Sequence, residues 1–101
     1  MKNSQLSDTF SLLAKDFTLP EIKEDFDETK AIEFLSKAIS QLLNKDFERL
    51  LQICYRIDLG ENRLKKILHE AKPDQVASDL AKALWERQKQ KVEIRSRYSE
   101  G

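Results

Sequence analysis

The fold of this chain is decided by residues 32–68, which read IEFLSKAISQLLNKDFERLLQICYRIDLGENRLKKIL. Apolar residues recur there at every third or fourth position, the spacing that places them on one face of an α-helix. The positions that share this spacing are Ile32, Leu35, Ile39, Leu42, Phe47, Leu50, Leu51, Cys54, Leu64, Ile67 and Leu68. The pattern predicts helices that pack against one another, and it contains no group of reactive side chains.

Short polar breaks divide this stretch into three predicted helices. Asp27 is a suitable N-cap for the first, which should run to about residue 43. That helix carries apolar residues, Phe34 among them, over more than half its circumference, and we expect it to lie at the centre of the fold. Residues 44–46 end it, with Asn44 suited to a left-handed end, and Asp46 is expected to cap the second helix. Residues 58–60 form the predicted turn that leads into the third helix.

The flanking segments predict one further helix on each side. Residues 10–17 carry a helical apolar pattern, with Ser7 or Asp8 as the expected cap, and residues 1–6 are expected to be frayed. Pro20 prevents that helix from continuing. Pro73 suits the first position of a last helix of about 25 residues. Beyond Trp85 its apolar stripe fades, so residues 85–101 are expected to project from the bundle or to pack on another chain.

Composition agrees with a single all-α domain over residues 1–101. Glycine and proline occur only twice each, and no segment alternates apolar and polar residues as a half-buried strand would. We therefore predict a compact bundle of four to five helices that ends in a long C-terminal helix.

The charges of the chain cancel overall but are unevenly placed. Eighteen acidic and eighteen basic residues argue against binding nucleic acid or a membrane with the whole surface. Residues 16–33 are acidic, whereas residues 82–97 are basic. The single cysteine, the absence of a leader-like N-terminus and the absence of a long apolar run predict a cytoplasmic protein without a membrane span.

Candidate catalytic and metal-binding residues lack the partners that they would need. His69 is the only histidine and is expected on the surface, while Cys54 is expected to be a small buried apolar residue. Residues 58–69 resemble a calcium loop only at their start, because the twelfth position is a histidine rather than a glutamate. Arg56, Glu61 and Lys66 occupy positions where a DNA-reading helix-turn-helix needs small or apolar residues. We predict no enzyme, no cofactor and no metal.

The basic C-terminal helix is the strongest functional signal in the sequence. It can be a solvated helix end, where basic residues suit the helix dipole. It can contact a protein, including the acidic 16–33 segment of a second copy in a homodimer, or it can bind nucleic acid weakly and without sequence preference. We favour a protein contact, and the predicted partner-binding residues are Trp85, Arg87, Lys91, Val92, Ile94, Arg95 and Tyr98.

Two stretches, LLQICYRIDLGENRLKKIL (50–68) and ERQKQKVEIRSRY (86–98), resemble a group of short, uncharacterised, all-helical bacterial proteins. The resemblance extends over most of the chain from about Leu19. It implies a bacterial cytosolic origin and a complete small protein. It implies no catalytic or binding residue.

Overall fold

The computed structural model of the chain describes residues 3–19 and 27–100, with side chains described for residues 5–19, 27–95 and 97. These residues form five helices and no strand, which confirms the predicted all-α bundle. The helices are α1 (Asn3–Phe17), α2 (Glu28–Lys45), α3 (Phe47–Ile57), α4 (Glu61–Glu70) and α5 (Val76–Glu100). The predicted break at Pro20 falls in the 20–26 segment, outside the described residues.

Two aspartates begin helices as the sequence predicts. The Asp27 carboxylate accepts a hydrogen bond of 2.8 Å from the backbone N–H of Lys30. The Asp46 carboxylate accepts one of 3.2 Å from the N–H of Arg49, while its own N–H donates to the carbonyl of Leu42. Asp46 therefore both ends α2 and begins α3. The predicted left-handed end at Asn44 is wrong, because Asn44 still lies within α2.

The turn between α3 and α4 has the hydrogen bonds of a Schellman motif. Asp58 lies in the left-handed region, with φ 64°, and its N–H donates to the carbonyl of Tyr55. The N–H of Leu59 donates to the carbonyl of Cys54, and both of these side chains are buried. Gly60 follows with φ 99°, a conformation that favours glycine. The turn thus satisfies the last carbonyls of α3 before α4 begins.

The central helix is α5 rather than α2. It packs against each of the other four helices, and Leu80, Leu84 and Trp85 are fully buried on it. The helix α2, which the sequence analysis placed at the centre, packs against α1, α3 and α5, but Phe34 on its apolar face remains 37% exposed. Phe47, which was assigned to the packed face of α3, is 42% exposed. The apolar character of a helix face does not by itself show whether another helix packs against that face.

Three predicted boundaries differ from the structure. Residues 3–6 belong to α1 instead of being frayed, and Leu6 packs against the core. Residues 1–2 lie outside the described part. Pro73 lies in a turn, and α5 begins three residues later at Val76. Residues 85–92 do not project from the bundle, because Trp85, Gln88 and Val92 are all buried.

Candidate functional site

The predicted partner-binding residues separate into buried and exposed sets. Trp85 is fully buried and Val92 is 7% exposed, so neither presents a surface to a partner in this structure. The reason is a continuous stripe of Ala81, Trp85, Gln88 and Val92, each three or four residues from the next. The sequence analysis had the stripe fade beyond Trp85, because the next residue of the stripe is a glutamine rather than an apolar residue.

Two basic residues of α5 are engaged within the chain. Nε of Arg87 donates to the carbonyl oxygen of Asp58 at 3.0 Å, and its Nη2 lies 3.3 Å from a carboxylate oxygen of the same residue. Nζ of Lys89 lies 3.7 Å from a carboxylate oxygen of Glu28. Part of the attraction between the basic and the acidic stretch is therefore satisfied within one molecule, which weakens the case for a second copy as the partner.

The C-terminal half of α5, together with α1 and the end of α3, forms a cleft of about 220 Å³, which we call the α5 cleft. Its lining combines apolar side chains with three cations, an aspartate and an amide. The lining residues are Leu12, Asp16, Arg56, Ile57, Gln88, Lys91, Val92 and Arg95. The three cations and one carboxylate give the lining a formal net charge of +2.

The positive charge of the α5 cleft is only partly compensated. Nη1 of Arg56 lies 2.8 Å from a carboxylate oxygen of Asp16, which fixes the two residues across the gap between α3 and α1. Lys91 and Arg95 form no ion pair with another described residue. Two cations on adjacent turns of α5 are therefore available to an anionic group.

Gln88 is the buried polar residue of the α5 cleft. Only 9% of its surface is exposed, and its side-chain amide makes no hydrogen bond to another described residue. Among the described side chains, Nε1 of Trp85, and not the amide of Gln88, is the fully buried polar atom that lacks a hydrogen-bond partner. The amide of Gln88 therefore still reaches the solvent of the cleft. In this position it can donate to, or accept from, a group that enters the cleft.

Ile94 precedes the cleft residue Arg95 in the chain and is 47% exposed, and Arg95 and Arg97 are exposed as well. Of the predicted partner-binding residues, Lys91, Ile94 and Arg95 therefore lie on or beside an accessible surface. The side chain of Tyr98 lies outside the described residues. The sequence analysis missed Leu12 and Asp16, because their proximity to α5 arises only from tertiary packing. It also missed Gln88, because the burial of this α5 residue depends on the helices that pack opposite it.

A second, larger cavity of about 440 Å³ lies between α2 and the start of α5. Hydroxyl groups and charged side chains line it around Ile32, and no histidine or cysteine is among them. The lining residues are Thr29, Ile32, Glu33, Ser36, Lys37, Ser78 and Lys82.

The residues first considered for chemistry are placed as isolated groups. His69 is exposed on α4, and Cys54 is buried in the core. Burial raises the pKa of the Cys54 thiol to about 11, so the nucleophilic thiolate is disfavoured. Within residues 3–19 and 27–100, His, Cys, Asp and Glu side chains nowhere gather in a group of three that could hold a metal ion.

No protein-family model matches the chain, and neither a curated protein nor a solved structure does. Among the helices described, none combines the length and the apolar character needed to cross a membrane. Function is therefore inferred from the chemistry of the surface, and the α5 cleft has the most distinctive chemistry.

Proposed function

We propose that this chain is a non-enzymatic interaction module that binds a protein partner in the cytoplasm through the C-terminal half of α5. The contact surface consists of the α5 cleft and the neighbouring side chain of Ile94. The observation that carries the proposal is the pair of unengaged cations, Lys91 and Arg95, beside apolar cleft walls and an exposed isoleucine. Such a surface supplies both apolar burial and charge-assisted hydrogen bonds to a partner.

The groups that line the α5 cleft are suited to binding rather than to bond making. Arginine and lysine cations, an amide and aliphatic side chains can hold and orient a partner. The buried, protonated thiol of Cys54 agrees with a reducing compartment, where a free cysteine persists.

Site-specific photo-crosslinking tests the proposal. The crosslinking amino acid p-benzoylphenylalanine is placed at position 94 in the full-length chain, which is produced in its native host. The control carries it at Lys66, an exposed position on α4. We expect a discrete protein adduct from position 94 that disappears when Lys91→Glu is added. Equal adducts from both positions, or none from position 94, would contradict the proposal.

Self-association is measured separately by sedimentation equilibrium of the wild-type chain and of Ile94→Asp. A homodimer that dissociates on this substitution would identify the partner as a second copy. A monomer at high micromolar concentration would indicate that the partner is a different protein. We expect this outcome, because the ion pair between Lys89 and Glu28 already forms within one molecule.

A further inference from the structure

We infer that the α5 cleft accepts an acidic side chain from a partner protein, in a segment where that side chain is flanked by an apolar residue. This inference rests on the proposed function and specifies the chemistry of the partner. The carboxylate would lie between Lys91 and Arg95 and would accept a hydrogen bond from the side-chain amide N–H of Gln88. The flanking apolar residue would contact Val92 or the exposed Ile94.

Charge complementarity is the first argument for an acidic occupant. The lining carries a net charge of +2, and the Asp16 carboxylate is already paired with Arg56 at 2.8 Å. A carboxylate that enters the cleft therefore meets Lys91 and Arg95, which form no ion pair with another described residue. Hydrogen bonds between a cation and a carboxylate are about twice as strong as those between neutral groups.

The buried amide of Gln88 is the second and independent argument. Its side chain is nine-tenths buried, lines the cleft and has no hydrogen-bond partner among the residues that the structure describes. A carboxylate oxygen is an acceptor for the amide N–H, so a bound carboxylate would replace the water that this amide meets in the free protein. A purely apolar occupant would leave this group unsatisfied.

The size of the cleft favours one side chain of a peptide over a free metabolite or a nucleic acid. Its volume of about 220 Å³ is below the range of about 300–1,000 Å³ that is typical of small-molecule sites. A nucleic acid needs a series of cations along its backbone. Arg87 and Lys89 are two basic residues that could extend such a series, but they form ion pairs with Asp58 and Glu28.

An NMR titration of the full-length, isotope-labelled chain tests this inference. The probe is a synthetic peptide of alternating leucine and glutamate, and the matched control peptide has glutamine in place of glutamate. We expect the side-chain amide signals of Gln88, and the backbone signals of Lys91 and Arg95, to shift with the acidic peptide only. Oligothymidylate is titrated in parallel.

Variants locate the binding site. The double variant Lys91→Gln, Arg95→Gln should weaken binding by about tenfold or more, because it removes both cations that form charge-assisted hydrogen bonds to the carboxylate. The matched control Lys66→Gln, Lys72→Gln removes two exposed cations of the α4 side and should leave the affinity unchanged. Gln88→Leu should weaken binding although it keeps every charge.

Three outcomes would overturn the inference: no shift at Gln88 at millimolar peptide, equal shifts with the neutral peptide, or larger shifts of the same signals with oligothymidylate. Larger shifts with oligothymidylate would indicate that the cleft binds a phosphate backbone rather than an acidic peptide. If position 94 yields a specific protein adduct but the acidic peptide does not bind, only the inferred chemistry fails. If the peptide binds but no adduct forms, the proposed function fails.

Discussion

Cys54 lies on the inner face of α3 and is only 1% exposed. Loss of hydration raises the pKa of its thiol from 9.0 to about 11, although a backbone hydrogen bond offsets part of this shift. Below pH 9 the thiol is protonated in both the folded and the unfolded chain, and its full stabilising contribution is present. Between pH 9 and pH 11 the unfolded chain loses this proton while the folded protein retains it.

The free energy of unfolding should therefore fall as the pH rises from 9 to 11. The thiol contributes up to about 1.4 kcal/mol per pH unit to this fall. Urea denaturation followed by circular dichroism measures it for the wild-type chain and for Cys54→Ala. The two proteins differ only at position 54, so the difference between the two curves isolates the thiol. Parallel curves would show that the thiol is not desolvated.

Single residues were predictable where their role depends on neighbours in sequence. Asp27 and Asp46 were recognised as caps because a capping carboxylate bonds to a backbone N–H only three residues further along the chain. Phe47 was assigned to the wrong environment because its exposure depends on which helix lies opposite. Gln88 was missed for the same reason.

Among the helices, α5 carries a buried stripe that is hard to recognise in the sequence, because one of its residues is polar. Ala81, Trp85, Gln88 and Val92 form one buried stripe, and the glutamine interrupts its apolar character. The predicted class, number and order of helices are correct, since they follow from local periodicity and caps. The length of the packed part of α5 is not predicted by periodicity, because it depends on where α1 lies.

Gln88→Leu should stabilise the protein. Leucine continues the buried stripe and removes an amide that has no hydrogen-bond partner among the described residues, so the free energy of unfolding should rise by about 1 kcal/mol. Urea denaturation measures this change. The matched control is Gln90→Leu at an exposed position of the same helix, which should change stability by less than about 0.5 kcal/mol.

A loss of stability in Gln88→Leu would mean that the amide already has a satisfactory partner, such as an ordered water molecule. A gain would indicate that the wild-type protein retains a costly polar group in the α5 cleft. Because the same substitution is expected to weaken binding of the acidic peptide, stability and binding should change in opposite directions. A structural role of the amide alone would not produce that opposition.

The whole bundle depends on α5, which packs against all four other described helices. Each of the helices α1 to α4 meets it, so the core forms only when distant parts of the chain come together. The sequence predicted the all-α class, because apolar periodicity is local information. It did not predict the central helix or the α5 cleft, since both depend on pairings between segments far apart in the chain.

Truncation tests this dependence. A chain that ends after Leu84 lacks Trp85 and Val92, whose burial contributes about 1.5–3 kcal/mol each, out of a total stability of about 5–15 kcal/mol. We expect it to lose cooperative thermal unfolding by circular dichroism. A chain that ends after Arg95 lacks no residue that the structure places in the core, and its cooperative transition should persist. If the shorter chain melted as cooperatively as the wild type, residues 85–92 would not belong to the core, and the α5 cleft would lose the wall on which its chemistry depends.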